Sequence, residues 1–247
     1  MTFGTDDGQK TTPGTGATNV PMSEPDRTAW ADFKGQLTER RVARLEAAAA
    51  HRTNHFRLVI QDVHNDHNVS ACLRSAEAFG WAGVDVVTLS AKFRPTTVAR
   101  GVSEWLRVTK HTSVAECAEG LKTAGFQLIA AVPRTDAVSL PDVDVSRPTA
   151  VIFGNEHSGL NQAWDSYIDT WMTIPMVGLV ESLNISVAAA VTMFTLTQKS
   201  LVNNGARYHY LPAPARADLL DLWSTRMGYT TPTGDSPLPL NGSAPVK

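Results

Sequence analysis

Short apolar runs alternate with stripes of helical period through the middle of this chain. Residues 84–89 read as a short apolar run of the kind that forms strands buried on both faces, and 127–132, 150–153 and 171–174 are predicted as further strands. A further strand is predicted over 57–63, and another over 105–109 after a polar loop through Arg94, Arg100 and Glu104. Between these runs the period changes. Val69, Cys72, Leu73, Ala76 and Phe79 make one apolar helix face, with Gly80 where a helix should stop. Residues 115–124 and 185–196 are likewise helical. Strands alternating with helices predict an α/β fold, a mostly parallel sheet flanked by helices, and such sheets collect ligands at the carboxyl ends of their strands.

The flanks carry different patterns. Residues 1–28 are rich in Thr, Gly, Asp and Pro without a hydrophobic period, so a flexible N-terminal tail is predicted. Residues 29–50 read as one or two helices, with Trp30, Phe33 and Leu37 at helical spacing and four alanines closing the stretch. Beyond Leu201 the chain is rich in Pro and Gly, with one short helix at 215–223 and an irregular tail through Pro239 and Pro245. The predicted organisation is therefore a tail (1–28), a basic helical extension (29–53), one body (54–205) and a largely irregular C-terminal extension (206–247). A chain of 247 residues with 43% hydrophobic content suits one body with extensions better than two equal domains.

A formal charge of −2 excludes a surface that is basic everywhere, so any nucleic-acid affinity must be local. Residues 31–57 offer such a patch: six cationic side chains outnumber three acidic ones, and Arg40, Arg41, Arg44 and Arg52 are its candidate RNA-binding residues. A solvated helix face is the competing explanation. The two cysteines, Cys72 and Cys117, lack a Cys-x-x-Cys partner or a His at metal spacing, which predicts core residues, a reducing compartment and no metal. No apolar run approaches the roughly 20 residues that span a bilayer, and the first residues are polar and acidic, so a cytoplasmic protein without a membrane partner is expected.

Three loops concentrate the candidate chemistry. The segment from Phe153 through Gly154, Glu156 and Gly159 to Leu160 has the Gly spacing of a phosphate loop, but Leu160 and Asn161 stand where Lys and then Ser or Thr would be required. Its Glu156 lies just past a strand, between two glycines that let backbone approach a ligand. Asn68 falls at a helix start, where it is either an N-cap or a site residue. Arg74 points away from the apolar face of that helix and is not explained by packing. Ser182 and Asn184 precede the 185–196 helix, as caps or as site residues, after a loop whose Ile174, Met176, Leu179 and Leu183 offer apolar walls suited to an adenine.

Together these loops resemble the three motifs of the SpoU branch of the SPOUT methyltransferases. The run 61–71, Gln-Asp-Val-His-Asn-Asp-His-Asn-Val-Ser-Ala, looks most like the tRNA guanosine-2'-O-methyltransferases within it, and the resemblance covers roughly 38–200. It implies a SPOUT fold with a C-terminal deep trefoil knot, which no periodicity could predict. It also implies S-adenosyl-L-methionine held near Ala131, Val132, Gly154, Ile174, Met176 and Leu183, and a catalytic set of Asn68, Arg74, Glu156, Ser182 and Asn184. A homodimer acting on a tRNA guanosine ribose follows by the same resemblance. Ribosomal RNA as substrate, or a non-catalytic knotted RNA-binding protein, are the alternatives.

Transfer of a sulfonium methyl group depends mainly on orientation, worth roughly 7 to 11 kcal/mol in well-aligned model reactions. The hydroxyl proton is the harder part. A guanidinium is about 5 units from neutrality at pH 7, a cost of roughly 7 kcal/mol, which argues against Arg74 as base. Arg74 is instead expected to anchor an RNA phosphate, with that phosphate, Glu156 or water taking the proton.

Overall fold

The computed structural model describes residues 29–90, 101–205 and 208–228. The expectations for 1–28, for the loop segment holding Arg94 and Arg100, and for the tail through Pro239 and Pro245 lie outside the described residues. The strands are β1 (Thr53–Gln61), β2 (Trp81–Val87), β3 (Arg107–His111), β4 (Gln127–Ala131), β5 (Val138–Ser139), β6 (Thr149–Phe153) and β7 (Thr170–Thr173). The helices are α1 (Ala29–Phe33), α2 (Glu39–Ala50), α3 (Asp66–Ala78), α4 (Val114–Thr123), α5 (Ile185–Asn204) and α6 (Ala213–Arg226).

All strand pairs are parallel, in the order β3-β2-β1-β6-β4-β7-β5. From β1 the chain runs outward through β2 and β3, then returns to build the other half. The reversal falls beside β1, where open α/β sheets place their ligands. Strand β1 begins four residues before the predicted 57–63, because buried Thr53 and His55 interrupt the apolar run that sequence can detect. Two-residue β5 is too short to leave a periodic signal.

Side-chain alternation divides the core. Leu58 and Ile60 face α3 and α5 with Val84, Val86, Val151 and Phe153, meeting Cys72, Leu73, Ala189 and Met193. Val59 points to the opposite face, where Ile152 and Leu128 meet Cys117, Ala118 and Leu121 of α4 and the ring of Trp164. Each fully buried aliphatic side chain contributes about 1.5 to 3 kcal/mol. Helix α3 ends as expected at Gly80, whose φ of 77° suits glycine and whose added Cβ would meet the His51 carbonyl oxygen.

Helix α5 runs eight residues past the predicted 185–196, and at 20 residues with mean hydropathy 1.3 it is long and apolar enough to cross a membrane. That revises the expectation that no such run exists. Its inner face is nonetheless a core face: Thr197 Oγ1 accepts a 3.0 Å hydrogen bond from the buried Trp81 Nε1.

The two flanks form a third apolar cluster, in which Trp30, Phe33, Leu45 and Ala49 pack against Leu211, Leu219, Leu220 and Trp223. The helix expected at 215–223 in the C-terminal extension is present and longer, as the 14 residues of α6. Arg52 belongs to this junction and not to a surface. It is 3% exposed, its Nη2 lies 2.5 Å from Glu77 Oε1, its Nη1 donates to the Glu77 carbonyl at 2.8 Å, and its guanidinium sits 5.5 Å over the Trp223 ring. The assignment of Arg52 to RNA binding is therefore corrected: its donors are used inside the fold. Arg52→Met should lower unfolding free energy by about 2 kcal/mol in urea titrations, through the unpartnered and partly exposed Glu77 carboxylate.

His55 is held nearby, its Nε2 2.8 Å from the Val145 carbonyl and its ring stacked at 3.9 Å on His209. Burial lowers its pKa, the Val145 carbonyl opposes that, and His209 adds to it. The unfolded chain therefore takes up this proton first, and stability present above about pH 6.5 is lost as pH falls through the folded value. Melting temperatures between pH 7 and 5 should fall more steeply for wild type than for His55→Gln.

Candidate active site

The carboxyl ends of β1, β6, β4 and β7 lie side by side, with Ile60 opposite Phe153, Ile152 opposite Ala130, and Ala131 opposite Met172. The loops that leave them surround a cavity of about 470 Å³, within the range of small-molecule sites. Phe153, Met172 and Ala188 supply apolar wall, and Ala131, Val132, Gly154, Ile174, Met176 and Leu183 all line it. The six positions singled out by resemblance share one cavity.

The junction of β1 and β6 fixes the upper loop. Asn155 is buried, its Nδ2 donates to the Asp62 carbonyl at 2.6 Å, and its Oδ1 accepts from the amides of His157 (2.7 Å) and Ser158 (3.1 Å). The Asn155 and Gly159 backbones also exchange two hydrogen bonds, both 3.0 Å. Gly154 is required by this closure, since a Cβ there would collide with the Gly159 backbone. Asp62 adopts φ 48°, a left-handed conformation unusual for a non-glycine residue. Its Oδ1 accepts from the amides of Leu89 (2.7 Å) and Ser90 (3.0 Å), which holds it there. Gln61 Oε1 accepts from the Asn161 amide at 2.9 Å and from Trp164 Nε1 at 3.0 Å, pinning the far end of the same loop.

Asn68 is not the N-cap of α3. Asn65 takes that place, accepting from the His67 amide at 2.9 Å, which leaves Asn68 in the first turn with its amide free for the site. Asn68 Nδ2 donates to Glu156 Oε1 at 2.7 Å, and Asn68 Oδ1 accepts from Asn184 Nδ2 at 3.2 Å. Asn184 does cap α5, its Oδ1 accepting from the Ser186 amide at 2.9 Å and from Ser186 Oγ at 2.7 Å. One hydrogen-bonded chain thus joins three loops, and Ser182 lines the cavity beside it.

Arg74 stands apart. It is exposed, absent from the cavity wall, and six residues beyond Asn68 on α3, about 9 Å along the helix and on another face. Four of the five expected polar residues therefore meet within one chain. Arg40, Arg41 and Arg44 are exposed on α2, with Arg41 Nη2 3.7 Å from Met227 Sδ. Asp62, Asn155 and Gln61 stand in the motif segments, but the sequence alone assigns them no role. An Asn two residues before an amide it can cap, within a glycine-bounded loop, is the available signal for Asn155.

Neither cysteine is placed for chemistry. Burial, then the charge of Glu156, pushes the Cys72 thiol up to about 12, and burial raises Cys117 as well. Cys117 does have potential metal-binding neighbours that its sequence spacing did not show, for Asp85 and His111 bring ligand atoms within 4.8 Å of one another and of its sulfur. Asp85 is already committed to Arg57 Nη2 at 2.7 Å and His111 Nε2 at 2.8 Å.

A parallel α/β sheet whose carboxyl edge encloses an apolar, polar-rimmed cavity of nucleoside size defines a ligand-binding domain of the doubly wound class. Residues 55–194 match the SpoU rRNA Methylase family, and the protein belongs to that family. It is 35% identical over 168 residues to the tRNA (guanosine(18)-2'-O)-methyltransferase of Thermus thermophilus, covering 67% of this chain and 86% of the relative. The crystal structure of the A. aeolicus TrmH/SpoU tRNA modifying enzyme superposes with TM-score 0.69 at 24% identity, over 77% of this chain and 98% of the other. The SpoU methyltransferase AviRb of Streptomyces viridochromogenes, solved in complex with the cofactor AdoMet, gives TM-score 0.55 at 24% identity over 63% and 64% of the two chains.

The double duty of Asn184 can be separated. Asn184→Ser preserves a capping oxygen but is too short to reach Asn68, so unfolding free energy should stay within about 0.5 kcal/mol while turnover falls. Asn184→Ala should lose turnover and also about 1 kcal/mol of stability, measured by urea unfolding alongside steady-state kinetics.

Proposed function

We propose that this protein is an S-adenosyl-L-methionine-dependent methyltransferase acting on the ribose 2'-hydroxyl of a guanosine in tRNA. The observation that carries the reading is the chain Glu156–Asn68–Asn184 at the rim of the apolar cavity, in a SpoU family member. The named activity of the Thermus thermophilus relative and the AdoMet bound to AviRb support the substrate and the cofactor.

The lining fits the methyl donor. Ile174, Met176 and Leu183 suit the adenine, and the loop carrying Gly154 lets backbone approach polar groups closely. When bound, S-adenosyl-L-methionine supplies a methyl group on a sulfonium whose departure leaves a neutral thioether. The protein's task is alignment. Asn68 and Asn184 hold Glu156 and the start of α5 in register, so the ribose meets a fixed rim instead of mobile loops. Arg74 anchors an RNA phosphate through its planar guanidinium.

A homodimer belongs to this reading. Val187, Val191 and Phe194 are exposed along α5, and Phe194 lies 5.9 Å from Phe79 at the end of α3, an apolar strip suited to a second copy. The C-terminal knot and a cytoplasmic location are parts of the same proposal.

Purified protein incubated with methyl-labelled S-adenosyl-L-methionine and in vitro transcribed tRNA should yield label in 2'-O-methylguanosine after nuclease digestion. Label in ribosomal RNA alone would replace the substrate, and no cofactor binding by calorimetry would overturn the enzyme reading. Replacing Arg40, Arg41 and Arg44 together with Gln should weaken tRNA binding and flatten its salt dependence, leaving cofactor affinity unchanged.

A further inference from the structure

A second cavity, of about 370 Å³, opens at the opposite end of the sheet, beside Arg52 and Gly80, which lead into β1 and β2. Its walls include Ala48, His51, Phe79, Gln198, Tyr208 and Tyr210. Residues 208–211 run beside the start of β1. They are held by the bridge between Thr53 and Tyr210, by Thr53 Oγ1 donating to the His209 carbonyl, and by the Leu211 amide donating to the Arg52 carbonyl at 2.8 Å. Alternate side chains of an extended segment point to opposite sides. His209 accordingly stacks on His55, while Tyr208 and Tyr210 both line the cavity, their rings 4.5 Å apart at 61°. His51 adds a third ring, 5.6 Å from that of Tyr210 and at 88° to it, with its Nδ1 2.7 Å from the Ala47 carbonyl. Tyr210 is 40% exposed, so an aromatic surface is open to solvent at this mouth.

The way to this cavity is cationic. At 3.6 residues per turn, Arg40, Arg44, Ala47 and His51 fall within about 60° of one another around α2, and Glu39 and Glu46 lie on another side of it. Arg40, Arg44 and His51 are all exposed, and the small side chains of Ala47 and Ala48 leave the row open where it reaches the cavity. A row of arginines thus ends at a wall of rings. We propose that this cavity receives an unpaired nucleobase of the RNA, stacked against Tyr210, while Arg40 and Arg44 follow the phosphates that lead to it, an inference that rests on the RNA reading above. Phosphates along a strand answer the arginines, and every base carries a π face for the rings, so one ligand chemistry satisfies both features. The Arg52–Glu77 pair, which also lines the cavity, is already joined within the fold and holds the site open without offering a free cation. The length of β1 separates this cavity from the first by about 25 Å. The base bound here is therefore not the one whose ribose is methylated, and the pocket serves to hold the tRNA and not to transfer the methyl group.

The test compares wild type with Tyr210→Ala, Tyr210→Phe and Gln198→Trp, the last of which fills the cavity from an exposed position of its wall. Tyr210→Ala and Gln198→Trp should each weaken binding of transcribed tRNA about 10-fold, and Tyr210→Phe, which keeps the stacking ring, should stay within about twofold of wild type. Affinity for S-adenosyl-L-methionine by calorimetry and the single-turnover rate at saturating tRNA should be unchanged in all three. Independently of turnover, ultraviolet irradiation of wild type with tRNA should attach a nucleotide to the peptide carrying Tyr208 and Tyr210, as read by mass spectrometry. Unaltered tRNA affinity in both Tyr210→Ala and Gln198→Trp, or no cross-link to that peptide, overturns the pocket while leaving the proposed function intact. Variants that bind tRNA normally but change the molecular mass in sedimentation assign the wall to a second copy of the chain, and this also overturns it. Wild-type protein that binds tRNA through Tyr210 yet transfers no methyl group overturns the function and leaves the pocket standing.

Discussion

The hydrogen bond from Asn155 Nδ2 to the Asp62 carbonyl, buried at 2.6 Å, joins the ends of two central strands that parallel pairing leaves open. A parallel ladder directs both strands towards the same edge, where their last backbone groups lose ladder partners and still require satisfaction. Asn155 meets that need and in the same act folds the Glu156 loop over the cavity. Asp62 accepts the bond only because its left-handed backbone turns the carbonyl towards β6, and the Leu89 and Ser90 amides offset the strain by binding its side chain. The ends of β1, β2 and β6 are thereby one rigid unit.

On that unit the polar residues act as connectors between elements. Asn184 begins α5 and reaches α3 through Asn68, so the start of a core helix and the rim of the site cannot move separately. Helices α3 and α5 are already packed together over the sheet through Leu73, Ala189 and Met193. The apolar core thus supplies the rigidity and the Asn68 link transmits it to Glu156. Arg74, beyond this network on the outer side of α3, is free to answer to something other than the core.

Most of the α/β body was legible because its strands are apolar runs and its helices are closed by ordinary signals such as Gly80. What stayed hidden was hidden for physical reasons. The start of β1 carries buried Thr53 and His55, polar residues satisfied by distant partners, the His209 and Val145 carbonyls, which a local pattern cannot reveal. Arg52 read as surface charge because its partners, Glu77 and Trp223, are remote in sequence. Asn68 and Asn65 compete for the same cap within four residues, and only the geometry of the first turn decides between them. The cavity residues were recoverable through resemblance, whereas Asn155 and Gln61 needed the loop itself to be seen closing.

The cluster formed by α1, α2 and α6 unites segments made at opposite times during synthesis. Trp30 and Phe33 leave the ribosome on the order of ten seconds before Leu219 and Trp223, at ordinary translation speeds. Through that interval the early helices have an apolar flank and no late partner to cover it. Helix α6, the last among the described residues, is therefore a latch, and a chain cut short before residue 213 would hold all seven described strands while its oldest surface is still sticky.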